Sequence, residues 1–194
     1  MTEYKDRRVV ELQATKVFER DGARESLITL GSHTGTHVDS PAHFIKNGLS
    51  IEQVPLSSLI GPCQVIDMTA CDGVIAASDL SHCTLAAHAR VLFKTKNSFL
   101  DANASYNVAF TYLAADAAAW LVKQGVMAVG IDYLGIERSQ PDHKTHELLL
   151  SNNIAVIEGL RLAAVVPGDY FLICLPLRID GLDAAPARAV LCRG

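Results

Sequence analysis

The chain has 194 residues, 49% of them hydrophobic and 20% charged, with a formal net charge of −4. That length carries one domain with a sizeable core, and the dispersed basic residues, without a Lys/Arg run or aromatic-basic interleaving, argue against a nucleic-acid partner. No apolar stretch is long enough to span a bilayer, Met1-Thr2-Glu3-Tyr4-Lys5-Asp6-Arg7 lacks the hydrophobic segment of a signal peptide, and the five cysteines form no close pair; the expectation is a cytoplasmic protein with buried thiols and no membrane partner.

In chain order, Val9–Val17 predicts a first strand and Ser26–Leu30 a second. Next comes His33-Thr34-Gly35-Thr36-His37-Val38-Asp39-Ser40-Pro41-Ala42-His43, which concentrates three of the seven histidines around one carboxylate. Neutral imidazole and carboxylate suit a catalytic Zn²⁺, and Mn²⁺ accepts the same set. The spacing of His33 and His37 matches one helix face, as in the His-Glu-x-x-His motif. Thr34, Gly35 and Thr36 are weak helix formers, however, and Pro41 stops a helix. A straight strand, at about 3.3 Å per residue, puts residues four apart about 13 Å from each other, too far to share an ion. The backbone must therefore turn near Gly35, while His37 and Asp39 share a face in extended chain. The segment reads as a strand end and loop folded around an ion. Ordinary loop histidines bonded to carbonyls are the plainer alternative, which explains one His better than three. His43 is either a further ligand or a free imidazole acting as general acid/base.

A short helical turn follows Pro55, and Gln64–Met68 reads as a strand. Thr69–Ala89 is ambiguous, with a helix able to begin at Ser78-Asp79 and run through Leu85. His82 and His88 flank Cys83 but match no metal template, which leaves them structural roles. The strand Arg90–Lys94, the Ala- and Leu-rich helix Leu113–Lys123 around Trp120, and the strand Met127–Ile131 follow. Asp142 is placed to cap a helix that runs through His146 to about Asn152. The strand Ile154–Ile157 ends on Glu158, where an unpaired charge after apolar residues is costly and a cation partner is reasonable; a solvated strand-end carboxylate is the alternative. His143, one turn from His146, is its rival and reads as a surface helix residue. Tyr170–Leu177 and Ala187–Leu191 complete the strands. More strand than helix, with helices interspersed, predicts a layered α/β architecture in one domain spanning 1–194.

The pattern His-x-Gly-Thr-His-x-Asp-x-Pro-x-His resembles the signature of the metal-dependent cyclase/hydrolase family, which includes bacterial kynurenine formamidases and isatin hydrolases. The resemblance extends through Val91–Ser98, Val129–Asp132, His146–Leu150 with Ile157–Leu160, and Leu175–Leu177 with Gly181–Leu191, from about Val9 to the C-terminus. It implies a swivelling β/β/α fold, with mixed sheet layers and few helices, assembled as a homodimer or larger homo-oligomer. It implies that His33, His37 and Asp39 hold a first divalent metal, Zn or Mn. Asp39 would bridge to a second ion, in the two-metal members, with His146 and Glu158 as later ligands. His43 matches the family's catalytic histidine, and it is the resemblance alone that prefers His146 to His143. The chain departs from the family at its front, where Met1-Thr2-Glu3-Tyr4 leads almost directly into Arg8-Val9-Val10-Glu11-Leu12. The family's Asp-[Leu/Ile]-Ser strand, its Gly- and Pro-rich loop and the aromatic residue that kynurenine formamidases place there have no counterpart.

A divalent ion held by two His and Asp39, with an open position, lowers the pKa of a bound water toward about 7. His43 titrates near neutrality and can take a proton from that water and return it to a leaving amine or alkoxide. The expected function is hydrolysis of an amide, formamide, lactam or lactone in a small cyclic or aromatic substrate, with an arylformamidase as the narrower alternative. A metal-stabilised binding module is the competing class. Structural zinc normally fills all four positions with Cys or His, whereas this set has oxygen ligands and a spare His, which favours catalysis. Asp132, Asp180 and Asp183 are candidate pocket or structural carboxylates, and Asn97 and Ser98 read as loop hydrogen-bonding residues.

Overall fold

The computed structural model describes residues 4–6 and 10–193, so Val9, the first residue of the expected first strand, lies outside the described residues. The elements in chain order are β1 (Glu11–Lys16), α1 (Phe18–Asp21), β2 (Glu25–Thr29), β3 (His37–Asp39), α2 (Leu56–Leu59), β4 (Ile60–Asp67), β5 (Val74–Ile75), α3 (Ala77–Leu80) and β6 (Arg90–Lys94). They continue with β7 (Tyr112–Leu113), α4 (Ala115–Gln124), β8 (Ala128–Ile131), α5 (Lys144–Ser151), β9 (Ala155–Glu158), β10 (Gly168–Pro176) and β11 (Ala184–Cys192). Seven strands close into a barrel in the order β10-β11-β3-β9-β8-β6-β4. Strands β4, β6, β8 and β9 run parallel, and the remaining pairings are antiparallel. The expected α/β class, with a mixed sheet and few helices, is what the chain adopts; its layers are the two sides of a barrel wall.

Strand β8, residues 91–93 of β6 and residues 155–157 of β9 are apolar without alternation because both faces are buried. Leu92, Ala128, Ala155 and Ile157 fill the barrel with Val38, Leu172 and Cys174. Their neighbours Val91, Phe93, Val129, Ile131 and Val156 face outward and pack with Ala117 and Leu121 of α4 and Leu149 and Leu150 of α5. On β10, by contrast, Leu172 and Cys174 are fully buried while Phe171 and Leu175 are exposed, the alternation of a strand covered on one face. No helix among the described residues is long and apolar enough to cross a membrane.

Two helix expectations change. The helix from Ser78 to Leu85 is only the four-residue α3, ending at Leu80. Asp142 does not cap α5: His143 occupies the N-cap in a left-handed conformation, φ 50°, without a side-chain cap bond. The backbone N–H of His146 instead donates to Glu137 Oε2 at 3.1 Å, because the chain before the helix folds back on itself and brings Glu137 over the free amides. Strand β4 begins earlier than Gln64, through Gly61 and Pro62, two residues that read locally as breakers.

At the end of β8, buried Asp132 accepts from Thr95 N at 2.7 Å, Thr95 Oγ1 at 2.7 Å and Ser98 N at 3.1 Å, and from the Ser98 hydroxyl. Asn97 bonds Thr111 in both directions, its amide donating to the carbonyl and its carbonyl accepting from the N–H. Asn97 and Ser98 are thus loop-holding residues, as their sequence suggests. Replacing Asp132→Ala strips these buried donors of their acceptor. The expected cost is about 3 kcal/mol, a fall in Tm of about 6–12 °C, read by thermal unfolding.

Candidate active site

Strand β3 lies between β9 and β11 with His37 opposite Glu158, and Asp39 opposite Val156 on one side and Ala184 on the other. Since Val38 and Ile157 point into the barrel, alternation turns His37, Asp39 and Glu158 onto its outer face. There α5 packs across the wall and adds His146. The turn before β3 adds His33, and a one-turn 3₁₀ helix, Pro41–His43, adds His43. All six residues singled out in the sequence therefore converge. His37, Asp39, His146 and Glu158 are buried.

The turn forms where the spacing required it. Gly35 adopts φ +65°, as does Gly159, at +67°, just after Glu158. A Cβ on Gly159 would sit 2.3 Å from the Gly35 carbonyl oxygen, so two backbones meet here at a distance only glycine permits. Thr36 Oγ1 seals the contact by donating to the Gly159 carbonyl at 2.7 Å.

Each imidazole of the cluster has one nitrogen on an outer acceptor and the other facing inward. His33 Nε2 is 2.9 Å from Asp183 Oδ2, and its Nδ1 is 2.9 Å from Asp39 Oδ1. His37 Nδ1 is 2.9 Å from the Gly35 carbonyl, while its Nε2 lies 3.4 Å from both Asp39 Oδ1 and Glu158 Oε2. His146 Nδ1 is 3.1 Å from Glu137 Oε2, and its Nε2 is 3.6 Å from Asp39 Oδ2 and 3.3 Å from Glu158 Oε1. The inward His37 Nε2, both oxygens of Asp39 and the outer His146 Nδ1 are buried without an aligned hydrogen bond, so His146 meets Glu137 as an ion-pair contact while His33 and His37 are hydrogen-bonded from outside. A histidine that donates through its outer nitrogen presents a lone pair inward, the arrangement of a metal ligand held from behind. The residues present fit a divalent cation, and His33, His37 and Asp39 lie close enough to share one.

The electrostatics agree. Burial opposes charge on His37, yet the Asp39 and Glu158 carboxylates outweigh it and raise the group to about 10. His146 is likewise raised against burial by Asp39, Glu137 and Glu158. Burial pushes the Asp39 carboxyl up, but the three imidazoles hold it well below the usual carboxylate range. Two buried carboxylates thus demand positive charge opposite them, which protons on imidazole or a divalent cation supplies. His43 behaves differently: burial lowers its pKa, so it is a neutral base near pH 7.

The cluster forms one wall of a cavity of about 350 Å³, lined also by Tyr4, Phe44, Leu134, Gly135 and Glu137. Phe44 packs against His43, His143 and His146, with ring centroids 4.2, 4.6 and 4.6 Å apart. Sequence reasoning missed Phe44, Tyr4 and Glu137; only the adjacency of Phe44 to His43 hinted at any of them. Of the three unranked carboxylates, Asp132 is structural, Asp180 is exposed and Asp183 belongs to the site. His143 is exposed, as expected, and its Nδ1 meets Glu137 rather than Asp39. His82 and His88 join none of the potential ion-holding groups among the described residues.

Residues 6–138 match the model of a family described as putative cyclase. A kynurenine formamidase of Salinibacter ruber is 39% identical over 173 residues, 86% of this chain and 81% of that protein. A solved structure described as a potential metal-dependent hydrolase with cyclase activity is 41% identical, with a TM-score of 0.88 over 98% of this chain and 90% of that one. Isatin hydrolase A from Labrenzia aggregata shares the fold, with a TM-score of 0.81 at 21% identity, covering 94% of this chain and 82% of that one. The chain belongs to the putative cyclase family.

Gly159→Ala tests the backbone contact on which the cluster rests. The added methyl should cost about 1–3 kcal/mol for the left-handed backbone, push the Gly35 turn away from Glu158 and weaken cation binding. Thermal unfolding and equilibrium metal titration of the variant read the two effects separately.

Proposed function

We propose that this chain hydrolyses the amide-type C–N bond of a small aromatic or cyclic substrate with a divalent cation, Zn or Mn, held by His33, His37, Asp39, His146 and Glu158. The observation that carries the reading is the convergence of three imidazoles, two of them hydrogen-bonded from outside and the third beside Glu137, on two buried carboxylates. Asp39 directs Oδ1 toward His33 and His37 and Oδ2 toward His146, so each of its oxygens would be available to a cation held with those imidazoles. When bound, the cation supplies Lewis-acid polarisation of the scissile carbonyl and of the attacking water. His43, neutral and lining the cavity, removes a proton as the water oxygen bonds the carbonyl carbon. It returns that proton to the nitrogen as the C–N bond breaks. Phe44, Leu134 and Tyr4 line the same cavity and offer apolar surface to a ring.

Within this class, the formamide of an aromatic amine is the substrate we favour, on the likeness to a kynurenine formamidase. Turnover of N-formylkynurenine, measured beside isatin and a simple lactone, tests it. Chelation should abolish activity and Zn²⁺ or Mn²⁺ should restore it, with one or two ions per chain by elemental analysis. His43→Ala should keep its metal and lose about 10²–10⁴ in kcat. A His43→Ala protein that sheds its metal would make His43 a ligand instead.

We also place the chain in a homodimer or larger homo-oligomer. Support comes from the β1–β2 ribbon, which exposes Leu12, Phe18, Leu27 and Ile28, the first to 74%, although a lone two-stranded ribbon is marginal in water. Light scattering should give a mass above one chain, falling to one chain in a Leu12→Ser/Ile28→Ser variant.

A further inference from the structure

Asp183 sits immediately before β11, and sequence gave no reason to prefer it over Asp132 or Asp180. Its Oδ2 lies 2.9 Å from His33 Nε2 and 3.4 Å from His43 Nδ1. The two rings it touches lie against each other, with centroids 4.1 Å apart and planes tilted by 41°. One carboxylate oxygen therefore reaches both the first histidine of the ion cluster and the histidine assigned to proton transfer. A ring nitrogen of His43 also comes within 4.8 Å of Asp39 and His146, on the side where substrate and water must meet.

The position of this carboxylate is fixed by its backbone. The Asp183 carbonyl accepts from Ser40 N at 2.9 Å and from Ser40 Oγ at 2.8 Å. The preceding Leu182 carbonyl accepts from Ile51 N at 2.9 Å, and the following Ala184 pairs with Asp39. Ser40 joins Asp39 to the turn that carries His43, so the same residue clamps that turn by its main chain and the two imidazoles by its side chain. The side chain is 39% exposed, so removing it leaves no buried unpaired group of its own.

We propose that Asp183 is a positioning residue that fixes the tautomers of His33 and His43 together. An acceptor at His33 Nε2 leaves Nδ1 as the lone pair facing Asp39, where a cation binds. At His43 the same oxygen lies 3.4 Å from Nδ1 without an aligned hydrogen bond; a proton on Nδ1 would close that contact and leave Nε2 free to exchange a proton with water and the leaving nitrogen. Without it, each ring can flip or take the other tautomer, and ion binding and proton transfer weaken at once. The inference rests on the hydrolase reading for what His43 does, but its effect on His33 is visible in ion binding alone.

The test compares Asp183→Ala and Asp183→Asn with the native protein, using zinc affinity, ring ¹⁵N shifts of the zinc-loaded histidines and kcat/KM. Native protein should show His33 protonated at Nε2 and His43 at Nδ1. Asp183→Ala should lose about 10- to 100-fold in zinc affinity and a similar factor in kcat/KM, with His43 in mixed tautomers. Asp183→Asn, which retains an accepting oxygen, should fall between the two. Native tautomers with unchanged zinc affinity in Asp183→Ala would overturn the inference, and so would loss of the near-ultraviolet dichroism of the folded chain, which would make the side chain structural. Native protein that neither binds zinc nor turns over would instead sink the functional reading. An active native enzyme with an indifferent Asp183→Ala sinks only the role of Asp183.

Discussion

Asp39 has no exposed surface, yet it must remain a carboxylate opposite a second buried carboxylate, Glu158. Removing such a pair from water costs several kcal/mol per ion unless positive charge is close and well placed. The local architecture answers that demand. A strand of only three residues, β3, is pinned on both edges so that His37 and Asp39 cannot turn away. The Gly35 turn and the start of α5 bring imidazoles to it from opposite sides. The ring of imidazoles, suited to a cation, is thus the solution to an electrostatic problem that the fold itself creates.

A second ring of groups keeps that solution rigid. The Gly35 carbonyl and Asp183 hydrogen-bond the outer nitrogens of His37 and His33, and Glu137 lies 3.1 Å from that of His146. Glu137 also takes the amide that α5 leaves open at its start, so one carboxylate serves both helix and imidazole. Because these supports belong to separate segments, no single loop movement releases the whole cluster.

Much of this was legible in the sequence. The density of His33, His37, Asp39 and His43 marked a cluster suited to an ion, and strand alternation alone put His37 and Asp39 on one face. The need for a bend at Gly35 followed from distances along an extended chain. His146 was legible only through resemblance, since nothing local distinguishes it from His143, whereas Glu158 also stood out as a carboxylate ending an apolar strand. The supporting residues were not legible: Glu137 lies in an irregular loop, Tyr4 in an N-terminal turn, and Asp183 shares its appearance with Asp180. Their roles arise from tertiary folding, which periodicity does not encode. The closure of the sheet was hidden for the same reason, because a strand carries no mark of which distant strand it will pair with, and Gly61 and Pro62 masked the start of β4.

Strand β3 enters the barrel between β9 and β11, two strands from the far end of the chain. His37, Asp39, His146 and Glu158 therefore meet only in the finished fold, and an ion held by them, as proposed, would tie the early part of the chain to the late part. A ligand that binds the native state alone stabilises it by mass action, about 2.7 kcal/mol when its free concentration is 100 times its Kd. For a protein of ordinary marginal stability, that increment is a substantial share of the whole. The cation supply of its surroundings would then govern not only how fast this protein works but how much of it persists in folded form.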